Sequence, residues 1–383
     1  MNDQADRMFI DGVRQVINAE SRRSDLGGSL MASEVMEAMA AASRVHVDMY
    51  SMLRVAGREI AELTGNEDAH VVPGAAAGLS IATLAAMVRC RPENAWQLAI
   101  DRSAEGIADE IVLQASQLSP YTSAAQLVGA RLRVVGNRDE TSEEEFSAAL
   151  GPRTAAILVV PSRDLPFETL SLEKVIELAT PRGVPVIVDA AAQLPPVENL
   201  SRFTEQGASL AVFSGGKDLE GPASSGLIVG SPDLVECCRS IMYPHHHIAR
   251  SFKVGKEEVA GLVAAVHRYM NLDHAARLAR LEETCRYWIT EFSGLHGVVA
   301  TRQFPNEAGQ SIPRIALQLD DEIFAATALE ARSRLRSRDP AIAVSANSAN
   351  TLFLTPEALA EGEAEAVAKA VLETLRATQR SRG

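Results

Sequence analysis

The chain is short of the features that assign a protein by inspection. It has only four cysteines in 383 residues: Cys90, Cys237, Cys238 and Cys285. Their spacing fits no metal motif, and adjacent Cys237 and Cys238 face different ways on any regular element, so reduced thiols and no metal centre are expected. Basic charge is lacking too: 37 Lys and Arg stand against 50 Asp and Glu, a formal net charge of -13. That balance argues against nucleic acid as the main partner, since phosphate-backbone binding rests on basic surface. Long apolar runs are missing. The N-terminal MNDQADRMFIDG has no apolar stretch of signal-peptide length. The most apolar segment, residues 75–88, is too short to span a bilayer and contains Gly78 and Ser80. A cytoplasmic protein with no membrane partner is expected. No internal repeat or low-complexity tract stands out, and the alanine-rich stretches keep helical periodicity.

What is present is ordinary globular composition, 46% hydrophobic and 23% charged, in a chain long enough for a large core and two domains. Short Val- and Ile-rich runs at 70–72, 110–113, 131–135, 155–160, 184–188, 210–213 and 226–229 are bounded by Gly, Pro or Asp and read as strands. Helical patterns, such as 172–179, lie between most of them. This alternation predicts an α/β fold with a mostly parallel sheet covered by helices. From about residue 256 the pattern changes to one long helical stretch through Glu283, a strand at 313–319 and more helix, a smaller α+β domain. The expected division is 1–45 as an N-terminal segment packing with the small domain, 46–255 as the large domain and 256–383 as the small domain.

Three features fall in an order that suits one chemistry. Gly74-Ala75-Ala76-Ala77-Gly78 follows a strand and opens a helix, where free amides and the positive dipole end favour a phosphate. Asp189 ends the strand 184–188. Lys217 follows the run 210–213, with Gly215 and Gly216 before it and Gly221-Pro222 after it. Asp189 and Lys217 are 28 residues apart, one strand–helix–strand step, which sets them at neighbouring strand ends where α/β sheets bind ligands. A phosphate cradle, an acid for a pyridinium nitrogen and an imine-forming lysine are what pyridoxal 5'-phosphate (PLP) requires. Each has a plainer reading: close packing at Gly74, a helix N-cap at Asp189, an exposed turn lysine at Lys217. Gln193 suits a hydrogen bond to the cofactor's phenolic oxygen, or is a surface glutamine. His245-His246-His247 resembles a metal site at first sight, yet consecutive residues ligate one ion poorly. Arg250, Lys253 and Lys256 form a basic cluster that suits a phosphate or carboxylate, and equally a solvated helix start. Arg314, on the strand of the small domain, is a candidate for a substrate carboxylate.

The stretch Val186-Ile187-Val188-Asp189-Ala190-Ala191-Ala192-Gln193-Leu194-Pro195-Pro196, followed by Phe213-Ser214-Gly215-Gly216-Lys217 and Gly221-Pro222-Ala223-Ser224-Ser225-Gly226, resembles the selenocysteine synthase-like family of fold type I PLP enzymes. That family includes D-glucosaminate-6-phosphate ammonia-lyases and L-seryl-tRNA selenium transferases. The resemblance implies an aspartate-aminotransferase-like large domain, a small domain built from both chain ends, and a homodimer or higher homo-oligomer with sites at the interface. It implies that Lys217 carries PLP and that Asp189 faces the ring nitrogen. It further implies that Gly74, Ala75, Ala76 and Ala77 hold the phosphate with Ser214, that Gln117 and Gln193 face the ring, and that Arg250 reaches the neighbouring subunit's cofactor. Arg22, Arg23 and Arg314 are expected to serve the substrate. Four departures are visible: Pro73 where Ser is usual before the glycine loop, Gln117 where a ring-stacking His is usual, Glu220 where Arg often precedes Gly-Pro, and 20–25 (Glu-Ser-Arg-Arg-Ser-Asp) in place of the usual Ser/Thr-rich loop. They change charge around the substrate entrance.

The expected activity is that of a PLP-dependent lyase acting on an amino acid or amino sugar acid. Lys217 takes the α-proton, the ring and Asp189 stabilise the carbanion, and β-elimination gives a 2-keto acid and ammonia. Racemisation or epimerisation shares that carbanion and is the alternative. A non-catalytic PLP-binding protein is the alternative of another class. A tRNA-dependent reaction is least expected, given the acidic charge and a chain expected to carry no RNA-binding extension.

Overall fold

The structure is a computed structural model that describes residues 10, 12–89, 106–161 and 169–380. Cys90 and the extreme N-terminus lie outside the described residues.

The chain divides into two compact units. The larger takes Ser29–Leu272 together with Glu307–Gln310. Its strands are those expected, with β4 on its expected bounds and the others moved by a residue or two at an end: β2 (Asp68–Val72), β3 (Glu110–Gln114), β4 (Arg131–Val135), β5 (Thr154–Val159), β6 (Val186–Asp189), β7 (Leu210–Ser214) and β8 (Gly226–Gly230), after a short β1 (Val16–Asn18) in the other unit. They form one seven-stranded sheet in the order β2-β8-β7-β6-β5-β3-β4. Neighbours are parallel from β7 to β4, while β8 runs antiparallel to both β7 and β2. Strands β2, β3, β5, β6 and β7 therefore all end at the same edge. The central strands β5, β6 and β7 are buried over most of their length, as expected of a sheet covered on both faces.

Helix Ala75–Val88 lies on one face and is buried at nearly every position, which explains why it is apolar all round. Its approach to the sheet is set by Gly78, where a Cβ would stand 2.7 Å from Val212 and 3.1 Å from Val72. On the other face a second apolar layer includes Phe146, Val175, Phe203, Phe213, Leu262 and Tyr269.

The smaller unit contains the described residues up to Gly28, Asp273–Asn306 and the chain from Ser311 onward. Its sheet has the order β12 (Ser345–Ala346), β13 (Thr351–Leu354), β10 (Arg314–Leu319), β9 (Val298–Gln303), all antiparallel. The N-terminal β1 pairs in parallel with β11 (Ala341–Ala343). Helices His274–Ser293, Ala328–Arg336 and Glu363–Arg376 close a core around Trp288, Phe292, Ile315, Leu317 and Leu352.

Two expectations need correction. The unit boundaries fall after Gly28 and Leu272, not after residues 45 and 255. Helix Ser33–Ser43 belongs to the larger unit because it packs on helix Lys256–Met270: a Cβ at Gly261 would lie 2.7 Å from Met39 and 2.8 Å from Pro222. The single long helix expected through Glu283 is two, Lys256–Met270 and His274–Ser293. The second starts afresh at Asp273, whose carboxylate accepts the Ala276 N–H at 2.8 Å. Among the described residues no helix is long and apolar enough to cross a membrane.

Candidate active site

At the shared C-terminal edge of the strands the chain places Gln117, Asp189, Ser214, Lys217 and the Gly74 turn in one row. Strand β2 ends at Val72, and Gly74 turns the chain into helix Ala75–Val88 with φ +97 and ψ 158, a conformation open in practice only to glycine. No side chain caps this helix, so the first-turn amides of Ala75, Ala76 and Ala77 point outward with the positive dipole end behind them. Val72, Gly226 and Ser214 lie side by side across three strands. Gly226 is pressed against the turn: a Cβ there would stand 2.8 Å from the Gly74 carbonyl carbon, 2.8 Å from Phe213 O and 2.9 Å from Ala75 N. Thus the cradle, Ser214 and the foot of the lysine loop form one packed body.

Asp189 is the last residue of β6, next to Val212 of β7. Its carboxylate accepts the Ala191 N–H at 3.1 Å. Burial pushes this carboxyl above the ordinary carboxylate range, while the Ala191 bond and the charge of Lys217 pull it back. Asp189 still keeps some accessible surface at the sheet edge. A carboxylate that is costly to ionise where it sits suits a cationic ring nitrogen beside it.

The lysine loop is tight. Gly215 N donates to Ser225 O at 2.9 Å, Gly221 N to Gly215 O at 2.8 Å, and both Ser29 N and Ser29 Oγ donate to Gly216 O at 3.1 Å. Neither Gly215 nor Gly216 has room for a side chain, since a Cβ would meet Ser225 Oγ at 2.1 Å or Ala223 Cα at 2.5 Å. Lys217 thus rises from a backbone held on both sides.

Gln117 follows β3 in a single turn of 3-10 helix and is buried. Its Oε1 accepts the Val160 N–H at 2.9 Å, which fixes the side chain over the end of β5. Gln193 Nε2 donates to Pro161 O at 2.9 Å and makes a long 3.5 Å contact to Ala308 O. One of its two amide hydrogens is therefore engaged, and only the weaker contact is free to be exchanged for a cofactor oxygen.

Arg250 lies in the stretch between helices Pro232–Ile241 and Lys256–Met270. Its guanidinium lies 4.7 Å from the Tyr243 ring centroid, with Lys253 at 5.5 Å from the same ring. The three remaining candidates belong to the smaller unit. Arg22 is buried in an ion pair with Glu357 at 2.8 Å, each side chain about 4% exposed. Arg23 is exposed between Glu20 at 2.8 Å and Asp25 at 2.9 Å. Arg314 bonds Gln303 at 3.0 Å and stacks 4.4 Å from the Phe353 centroid. In the triple-histidine stretch, His245 sits edge-on to Tyr50 at 4.9 Å. Among the described residues no group of three His, Cys, Asp or Glu is placed to hold a metal.

Several neighbours of the site escaped the sequence reading. Ser116, beside Gln117, has a buried hydroxyl with no partner among the described residues. Asn199 Nδ2 donates to Gln193 O at 2.6 Å. The segment Glu307–Gln310 joins the larger unit and meets the Gln193 loop. Asp218 is buried and accepts the Tyr269 hydroxyl at 2.6 Å. Only Gly226 had a signal, a glycine closing Ser-Ser-Gly before a strand.

A packed amide cradle, a buried acid and a lysine on a constrained loop fit PLP, and comparison with known proteins agrees. The family model described as SelA, L-seryl-tRNA selenium transferase, matches residues 122–285. The chain is 34% identical over 338 residues to a 5'-C-glycyluridine monooxygenase-decarboxylase of Streptomyces sp, covering 86% of this chain and 82% of that one. It is 30% identical over 359 residues to a D-glucosaminate-6-phosphate ammonia lyase of Salmonella typhimurium, covering 92% and 93%. A solved D-glucosaminate-6-phosphate ammonia-lyase superposes with a TM-score of 0.82 at 29% identity, over 96% of this chain and 97% of that one. The chain belongs to the selenocysteine synthase-like family of fold type I, PLP-dependent enzymes.

Proposed function

We propose that the protein is a PLP-dependent lyase of the ammonia-lyase type that acts on an amino acid or amino sugar acid and releases a 2-keto acid and ammonia. The observation that carries this reading is the row at the sheet edge in which the Gly74 turn, Ser214, Lys217 and Asp189 share one packed body. Bound there, PLP supplies an electron-withdrawing ring that accepts the electron pair left at the substrate α-carbon. Lys217 Nζ would hold the cofactor, and its free amine would take the α-proton. The Asp189 carboxylate keeps the ring nitrogen protonated. The amides at Gly74, Ala75, Ala76 and Ala77, with the Ser214 hydroxyl, hold the phosphate. Gln193 reaches the ring's oxygen substituent by giving up its long contact to Ala308. Gln117 would face the ring; its amide does not ionise near neutral pH, so acid–base work would fall to Lys217. Arg250 serves the phosphate or carboxylate side.

A second reading, loss of the α-carboxyl group, is favoured by the 34% identity to a monooxygenase-decarboxylase. Assembly as a homo-oligomer in the cytoplasm completes the proposal. Supporting the oligomer, Leu30, Met36, Val45, Val47, Tyr50 and Val55, on or beside helices Ser33–Ser43 and Met49–Thr64, are each 40–70% exposed, apolar side chains suited to burial against a second copy.

The test incubates the PLP-loaded protein with D- and L-amino acids and amino sugar acids in heavy water. Release of keto acid and ammonia, with deuterium at the α-carbon of recovered substrate, is the expected result. Exchange with inverted configuration and no ammonia selects a racemase or epimerase. Carbon dioxide release with oxygen uptake selects the second reading. Bound cofactor without exchange on any amine overturns a catalytic role.

A further inference from the structure

Lys217 is followed at once by two carboxylates, Asp218 and Glu220. A carboxylate beside an amine favours the protonated amine, yet an imine-forming lysine must be able to lose its proton. The fold gives each carboxylate another partner, and both partners come from consecutive residues at the C-terminal end of helix Lys256–Met270. Fully buried Tyr269 donates its hydroxyl to Asp218 Oδ2 at 2.6 Å, and Asp218 is only 1% exposed. Arg268 Nη1 lies 2.8 Å from Glu220 Oε2, both side chains mostly buried. Glu220 meets it from a left-handed backbone, φ +57, that a non-glycine residue adopts only at some cost. Its own N–H donates to Lys217 O at 3.0 Å, so the strained residue closes the turn carrying the lysine. Two further charged groups act on this cluster: Asp189 of β6 on Lys217, and Glu34 of helix Ser33–Ser43 on Arg268.

We propose that Tyr269 and Arg268 are positioning residues, a two-point clamp that engages the Asp218 and Glu220 carboxylates of the Lys217 loop and so sets the proton affinity of the lysine–cofactor linkage. The proposal rests on the reading of Lys217 as the cofactor lysine. A hydroxyl donated to Asp218 disperses its charge, and a guanidinium on Glu220 cancels that charge locally.

The experiment titrates the absorption of the PLP-loaded, full-length protein against pH, after melting curves establish that each variant is folded. Tyr269→Phe moves the midpoint of the lysine–cofactor linkage upward by about half a pH unit or more. Asp218→Asn moves it downward, and the double variant matches Asp218→Asn alone, as expected where Tyr269 acts through that carboxylate. Arg268→Gln, a partly exposed change that spares the core, moves it upward. Folded variants with unchanged midpoints overturn the clamp. Hydride trapping and peptide mapping run alongside: label on another lysine overturns the functional reading itself, whereas label on Lys217 with unmoved midpoints overturns only the clamp.

Discussion

Replacing Gly226 by alanine places a methyl group where the phosphate cradle, the end of β7 and the start of β8 meet. The new Cβ would lie 2.8 Å from the Gly74 carbonyl carbon, 2.8 Å from Phe213 O and 2.9 Å from Ala75 N. All three are backbone atoms, so no side chain can swing aside. Overpacking of this kind costs about 1–3 kcal/mol, which in a domain of this size lowers the melting temperature by roughly 2–12 °C. The cheapest relief is outward movement of the Gly74–Ala75 turn, which displaces the amides offered to the phosphate. If that movement is reversed on binding, PLP affinity falls roughly 10- to 100-fold, at about 1.4 kcal/mol per tenfold. Gly151→Ala is the control, since its Cβ meets nothing within 4 Å and its φ is not positive; a change within about 0.5 kcal/mol is expected there. The assay is thermal unfolding of the cofactor-free protein together with absorbance titration by PLP. Gly226→Ala protein with unaltered melting and unaltered PLP affinity refutes the packing argument.

In the cofactor-free protein the folded state holds the Asp189 proton more tightly than the unfolded chain, so stability falls as pH rises above the usual 3.8. Asp189→Asn therefore raises the melting temperature of the cofactor-free protein at neutral pH while weakening PLP retention, and a lower melting temperature contradicts the assignment of burial as the dominant effect. Arg22→Met removes one partner of a buried ion pair and costs about 3–5 kcal/mol; a variant of native stability with a raised KM would make Arg22 a substrate ligand instead. His70 lies fully buried against Met242, and burial lowers its pKa to about 3. Between the usual 6.5 and that value the unfolded chain binds the extra proton, so stability declines as pH falls, by up to about 1.4 kcal/mol per unit. His70→Leu flattens this acid limb in pH-dependent melting, and an unchanged limb refutes the point.

The chain order of the site was legible because its parts stand at strand ends. Val- and Ile-rich runs bounded by Gly, Pro or Asp mark strands, and parallel strands joined by helices bring their C-terminal residues to one edge. That is enough to set Asp189 beside β7 and Lys217 just beyond it. Contacts between distant segments left no such trace. Asp218 meets Tyr269 across 51 residues and Arg22 meets Glu357 across 335, and nothing in either local pattern requires the pairing. The start at Asp273 was hidden because helical charge spacing continues through it. The boundary after Gly28 was hidden because helix Ser33–Ser43 is assigned by packing, Met39 on Gly261, rather than by composition. The glycines were visible as permissive residues, but only the fold shows which exclude a side chain and which merely turn.

The most direct measurement is hydride reduction of the PLP-loaded protein followed by peptide mapping of the pyridoxyl label. The account predicts a single labelled peptide with the cofactor on Lys217, and no label in a folded Lys217→Ala protein. Label on any other lysine, or label that persists in Lys217→Ala, contradicts it.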